Sequence, residues 1–307
     1  MSPGVVEAAR PRSRSQPWRL AAVPYGFLLP ALAVTALVVL FPVVRTVGFS
    51  LQDYLLYDPD AARFVGLANF AALANDEAFW ISLQHTLVWT GGTVALQFLL
   101  GLGTALLLNQ SFWWRGAARA LVIVPWALPS VIIGLMWTWI YDFNLGVLND
   151  ILLRLHLVAA PVAWLATGGT ALPAIMLAMV WQGFPFFAVM ILAGLQTVPP
   201  ELYEAAELDG ASPWRQFVHI TLPSVAGIMG TALLLRVIWV ANSLDVILVM
   251  TGGGPGYATH TLPLYAFLRA STGMEYGYGA ALGVVLTALL LLAVSLYIRR
   301  SAVAGPA

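Results

Sequence analysis

The sequence predicts an all-α integral membrane protein with six transmembrane helices and a short helix–turn–helix between the fourth and fifth. Three observations carry this. Sixty per cent of the 307 residues are hydrophobic and 9% are charged, whereas a soluble domain has roughly a quarter charged residues. The mean hydropathy is +0.85, so most of the surface faces lipid. The apolar residues fall into six long runs, and the arginines are shared unequally among the connections.

The runs cover residues 23–44, 83–108, 120–141, 172–195, 225–250 and 279–298. Each reaches the roughly 20 apolar residues that a helix needs to cross a bilayer. Amides in hydrocarbon must pair within their own segment, so these runs are helices. The first follows several arginines, as a signal peptide would. At 22 residues it exceeds the usual apolar region of about 7–15 and has no clear small-x-small cleavage site. It is read as a retained span.

One set of connections holds Arg10, Arg12, Arg14, Arg19, Arg115, Arg119, Arg215, Arg299 and Arg300. The other holds Arg63, Arg154 and Arg269 together with eight acids. Arginine-rich connections face the cytoplasm, so both termini are expected there. The organisation is a tail over 1–22, a six-span domain over 23–298 and a second tail over 299–307. The chain has no cysteine and no lysine; disulfides, thiolate metal sites and thiol nucleophiles are excluded.

Residues 201–223 stand apart from their greasy surroundings, with Glu201, Glu204, Glu207 and Asp209 in nine residues. Pro199 and Pro200 end the fourth run, and proline suits the first turn of a new helix. Glu201 lies near that helix's positive end. Gly210 stops the helix. Ser212 and Pro213 supply a fresh N-cap and first turn, and Pro223 is expected to break the second helix before the fifth span. By itself this is a solvated acidic loop at the cytoplasmic face.

The run "EAAELDGA" followed by "ITLP" resembles the cytoplasmic EAA loop of binding-protein-dependent ABC importer permeases. "FVGLANF", "AGLQTVPPELYEAA" and "MTGGGP" with "THTLPLYAF" are similar to the sugar-permease branch related to the maltose transporter. The resemblance spans residue 24 to about 298. It implies a bacterial or archaeal cell membrane and a loop that docks on a separate ATPase through Glu204, Ala205, Ala206, Asp209 and Gly210. It also implies a second permease subunit, a cytoplasmic ATPase dimer and an extracytoplasmic sugar-binding protein as partners, with no nucleic acid. ATP and Mg would belong to the ATPase, and no cofactor or metal is expected on this chain.

The glycines at 252–256 are not a nucleotide loop, which needs a lysine on the phosphates; they read as a turn capping span five. Arg236 lies midway along the fifth run. A central arginine costs roughly 2.5–3.5 kcal/mol on insertion scales and usually faces a cavity or a partner. Trp239, Val240 and Ser243 follow at helical spacing, with Asn242 at the border. Trp181 and Gln182 form a second polar-aromatic pair before a kink expected at Pro185. These residues are assigned to a substrate path. The competing reading of Arg236 is a structural ion pair, with Asp245 as a poorly placed partner.

Two other functions were weighed. An ion-gradient porter typically shows internal repeats, paired broken helices and titratable residues at mid-membrane; only Arg236 qualifies. An intramembrane enzyme needs clustered His, carboxylate or thiol groups, and the four histidines are scattered.

Overall fold

The computed structural model describes residues 27–303. The N-terminal tail with its four arginines, the first residues of the first run, and residues 304–307 lie outside the described residues. Helix α1, Phe27–Ser50, is 24 residues long with a mean hydropathy of 2.6, and none of its most apolar window is buried. It contains a π turn at Ala36–Leu40, closed by Phe41 N–H on the Ala36 carbonyl. Pro42 follows directly. Proline lacks an N–H and its ring clashes with the carbonyl four residues back; the wider turn removes that clash.

The rest of the described chain, from Phe49 onward, forms a second compact unit. It opens with an antiparallel hairpin, β1 (Gln52–Leu55) and β2 (Asp58–Phe64), which the sequence reading treated as plain connection. Asp53 and Arg63 are cross-strand partners and form an ion pair at 3.0 Å. Helix α2 (Ala68–Ala74) follows, and its Asn69 amide donates to the Ser50 and Gln52 carbonyls, both at 2.9 Å.

Helix α3 (Glu77–Asn109) packs along α7 (Gly168–Leu195), and this pair makes the core. The contact is close at Gly101: a Cβ there would lie 2.4 Å from Phe187 Cβ and 2.9 Å from the Phe184 carbonyl. Phe98 meets Phe187 edge-on at 5.6 Å. Helix α7 runs unbroken through Pro173 and Pro185, so the kink expected at Pro185 does not interrupt the helix.

The third apolar run is not one helix. It forms α4 (Arg115–Ala127) and α5 (Ser130–Ile140), bent by 96°. Leu128 sits at ψ 138 because the residue before a proline is pushed out of the helical region, and Pro129 follows it. Among the described residues, five helices are long and apolar enough to cross a membrane, or up to six if the bent pair counts as one. Helix α6 (Val147–Arg154) leads on to α7.

Beyond α7 come α8 (Pro200–Leu208), α9 (Pro213–Gln216), a π turn at Phe217–Thr221 and α10 (Leu222–Asn242). Pro223 therefore does not break the chain, contrary to the sequence expectation. The π turn ahead of it, closed by Leu222 N–H on the Phe217 carbonyl, accommodates the proline as at Pro42. The break falls later, at Ser243 and Leu244, before α11 (Asp245–Met250). Gly252 (φ 61) and Gly253 (φ 100) then turn the chain, and α12 (Leu262–Ser271) and α13 (Tyr276–Val303) complete the unit.

Asp76 caps α3 by accepting from Ala78 N–H at 2.9 Å. It also accepts from the Tyr265 hydroxyl of α12 at 2.6 Å and from the Tyr278 hydroxyl of α13. Burial pushes its carboxyl up, but these bonds and the Arg269 charge outweigh that and hold it below the ordinary carboxylate value. Burial and the bond to Asp76 push the Tyr265 phenol up to about 12, so it remains a donor.

Two predictions follow from this packing. Gly101→Leu is expected to cost about 1–3 kcal/mol through overpacking, whereas Gly103→Leu, which meets open space, should stay within about 0.5 kcal/mol; melting of the purified assembly distinguishes them. A carboxylate lowered in the folded state stabilises fully above its unfolded pKa and loses that contribution as pH falls through the folded value. The melting temperature should therefore drop on acidification below the ordinary value of 3.8, and Asp76→Asn should flatten that limb.

Candidate functional site

The acidic loop is built by two terminations. Pro199 is extended and Pro200 opens α8, with Glu201 in its first turn. At the far end Ala211 N–H bonds the Ala206 carbonyl at 2.8 Å and Gly210 N–H bonds the Glu207 carbonyl at 3.0 Å. This is a Schellman stop, which needs a left-handed residue; Gly210 has φ 76. Ser212 Oγ then caps α9 by accepting from Arg215 N–H. Tyr203 and Thr221 hydroxyls meet at 2.9 Å and tie the two arms together.

Glu204, Ala205, Asp209 and Gly210 are exposed on this braced loop, while Ala206 is half-buried. Leu208 is 91% exposed, an unusual display for leucine. Between the arms lies a concavity of about 560 Å³ lined by Ala206, Ala211, Arg215, Gln216, His219 and Ile220.

The second site is a cavity of about 460 Å³ where the α4–α5 bend, α7 and the end of α10 meet. Of the residues assigned to a substrate path, Gln182, Arg236, Trp239, Asn242 and Ser243 all line it. Trp181 does not. Its neighbour Gln182 takes the cavity side, and about 100° of helical turn carries Trp181 towards the Trp137 ring, 6.0 Å away.

Arg236 is buried on α10 and its Nε donates to Gln97 Oε1 of α3 at 2.7 Å. Gln97, itself fully buried, passes its amide on to the Met179 carbonyl of α7 at 2.6 Å. The guanidinium lies across Gly183, where a Cβ would come within 1.8 Å of Nη2. The Phe186 ring is 6.0 Å from the guanidinium carbon, and Phe186 meets Trp239 at 5.2 Å and Trp126 at 5.7 Å. The ion pair weighed between Arg236 and Asp245 is not formed: no carboxylate lies within 4.0 Å of Arg236 among the described residues.

Sequence reasoning missed Gln97, Gly183, Trp126 and Ser130. Gln97 had a signal, as an amide in the middle of an apolar run. Gly183 had none, because glycines are common in this chain. Both breaks of the expected spans border this cavity, through Leu128, Pro129 and Ser243. Irregular backbone at membrane depth is tolerated where it is buried in protein or lines a water-filled cavity.

Gly183→Ala is expected to displace the guanidinium from Gln97. Gln97→Leu should remove the same bond, worth about 1.5–3 kcal/mol for a charged donor. Melting of the two variants and of their combination should show one shared loss rather than two additive ones.

Three comparisons bear on identity. A family model described as the binding-protein-dependent transport system inner membrane component matches residues 97–301. The sulfoquinovosyl glycerol transport system permease protein SmoG of Agrobacterium fabrum is 38% identical over 272 residues, covering 89% of this chain and 88% of that protein. The trehalose/maltose transport system permease protein MalF of Thermococcus litoralis is 38% identical over 282 residues, covering 92% and 94%. Among solved structures, a chain of a bacterial ABC transporter involved in import of the acidic polysaccharide alginate superposes with a TM-score of 0.77 at 22% identity, covering 92% and 96%. The ion-gradient porter weighed from the sequence falls with these matches. The chain belongs to the family of inner membrane components of binding-protein-dependent transport systems.

Proposed function

We propose that this chain is one of two membrane subunits of an ATP-driven carbohydrate importer. It crosses the membrane six times, counting the bent α4–α5 pair as one crossing, with both termini and the 199–223 loop in the cytoplasm. The unequal sharing of arginines supports that orientation. ATP and Mg are used on a separate ATPase dimer, and an extracytoplasmic binding protein delivers the cargo. The names of the two relatives, both carbohydrate or glycoside permeases, support the substrate class.

The observation that carries the reading is the cavity of Arg236. It sets an indole face beside amide, hydroxyl and guanidinium groups, the combination that covers sugar C–H patches and bonds their hydroxyls. The loop supplies the coupling. Glu204, Ala205, Asp209 and Gly210 present a braced, exposed surface with Leu208 projecting from it, so a push on the loop reaches α10 through the π turn without a flexible joint.

Purification of the tagged chain from native membranes is expected to bring down a second permease subunit and an ATPase in stoichiometric amounts; transport by the chain alone sinks the reading. Gly210→Leu, which forces a side chain into a left-handed position costing roughly 1–2 kcal/mol, should lower uptake at least ten-fold. Gly210→Asn tolerates that backbone, yet adds bulk where a Cβ meets open space. If the ATPase docks there, Asn also impairs cargo-stimulated ATP hydrolysis; normal coupling in this variant would place the contact elsewhere.

A further inference from the structure

Among the described residues, the groups in contact with the Arg236 guanidinium are neutral. Its Nε is taken by the Gln97 amide, its ring neighbour is Phe186, and its Nη2 has no partner. Gln182 Oε1, on the same cavity, also has no partner, and both side chains are more than nine-tenths buried. A buried charge of this kind is ordinarily paired. Here the chain instead keeps Gly183 bare beneath the guanidinium, which lies against the α7 backbone with only the neutral Phe186 ring of that helix beside it.

The cavity also holds one carboxylate, Asp245, at the start of α11. Asp245 is exposed and Arg236 is not. A charge in water works against a dielectric of about 80, whereas one within protein works against an effective value of about 20. Of the two charges on the cavity, the guanidinium is therefore the less screened by water.

We propose that this cavity selects an anionic cargo: a saccharide or glycoside bearing a carboxylate, sulfonate or phosphate, for which Arg236 is the missing counter-ion. Gln182 Oε1 accepts from a cargo hydroxyl, and the half-exposed Trp239 indole covers the sugar face. The inference rests on reading the cavity as the substrate path. A neutral sugar would leave the guanidinium uncompensated, and a cationic one would be repelled.

The chain contains no cysteine, so Ser243→Cys places its single thiol in the cavity. In the assembled complex in nanodiscs, that thiol is reacted with two methanethiosulfonate probes, one carrying an ethylsulfonate and one an ethyltrimethylammonium. Modification is followed by mass on this subunit, and each rate is divided by the rate with free 2-mercaptoethanol. The sulfonate is expected to be favoured at least five-fold. Arg236→Gln should bring the ratio to about one, and Arg236→Lys should preserve it. Equal normalised rates, a preference for the cation, or a sulfonate preference that survives Arg236→Gln would overturn the anion inference and leave the path reading intact. If neither probe reacts while Ala61→Cys on the exposed β2 strand is modified, the cavity is closed to water and both readings fall. Should Arg236→Gln not assemble, the ratio in the Ser243→Cys complex decides the sign of the field.

Discussion

A guanidinium buried among apolar helices is tolerated only if fixed groups around it replace the water it has lost. In this protein one chain of contacts meets that requirement in part, from Arg236 to Gln97 at 2.7 Å and from Gln97 to the Met179 carbonyl at 2.6 Å, and leaves Nη2 without a partner. Three helices take part, α10, α3 and α7. Each link depends on another feature: the bare Gly183, the close approach at Gly101, and the Phe98–Phe187 contact that sets the spacing of α3 and α7. The cavity exists because this arrangement holds the polar groups at its floor.

The irregular backbone follows the same logic. Prolines at 42 and 223 sit just beyond π turns and leave their helices continuous. The bend at Leu128 and Pro129 and the break at Ser243 and Leu244 do interrupt helices, and both border the cavity. The orphaned amides and carbonyls of a broken helix are costly in hydrocarbon. At the end of α10 the Val240 carbonyl accepts from Ser243 N–H at 3.1 Å and also from Trp89 Nε1 at 3.0 Å. A continuous joint at Pro223 and an interrupted one at Ser243 give α10 an unbroken end at the acidic loop and a jointed end at the cavity.

Much of this was legible in the residues. Six apolar runs anticipated the long helices, and Pro200, Gly210, Ser212 and Pro213 marked the loop because caps and stops act locally. Arg236, Trp239, Asn242 and Ser243 form a stripe by helical spacing, and Gln182 joins them in the same expected path on chemistry alone. Three expectations fail for separate reasons. Pro223 reads as a break because the π turn that accommodates it leaves no residue signature. Residues 120–141 read as one helix because hydropathy counts length and ignores direction. Trp181 was grouped with Gln182 by adjacency, although adjacent helical residues face different ways.

Composition, local capping and hydrophobic period make the chain a helical membrane protein, place the start of the acidic loop and the stop at Gly210, and mark the residues too polar for lipid. These are local properties, readable one segment at a time. What Arg236 touches is not local. Gln97 lies 139 residues away, Gly183 matters for an atom it lacks, and Asp245 fails as a partner. Long-range proximity is set by how α3, α7 and α10 pack, and the residues of any one helix do not contain that information.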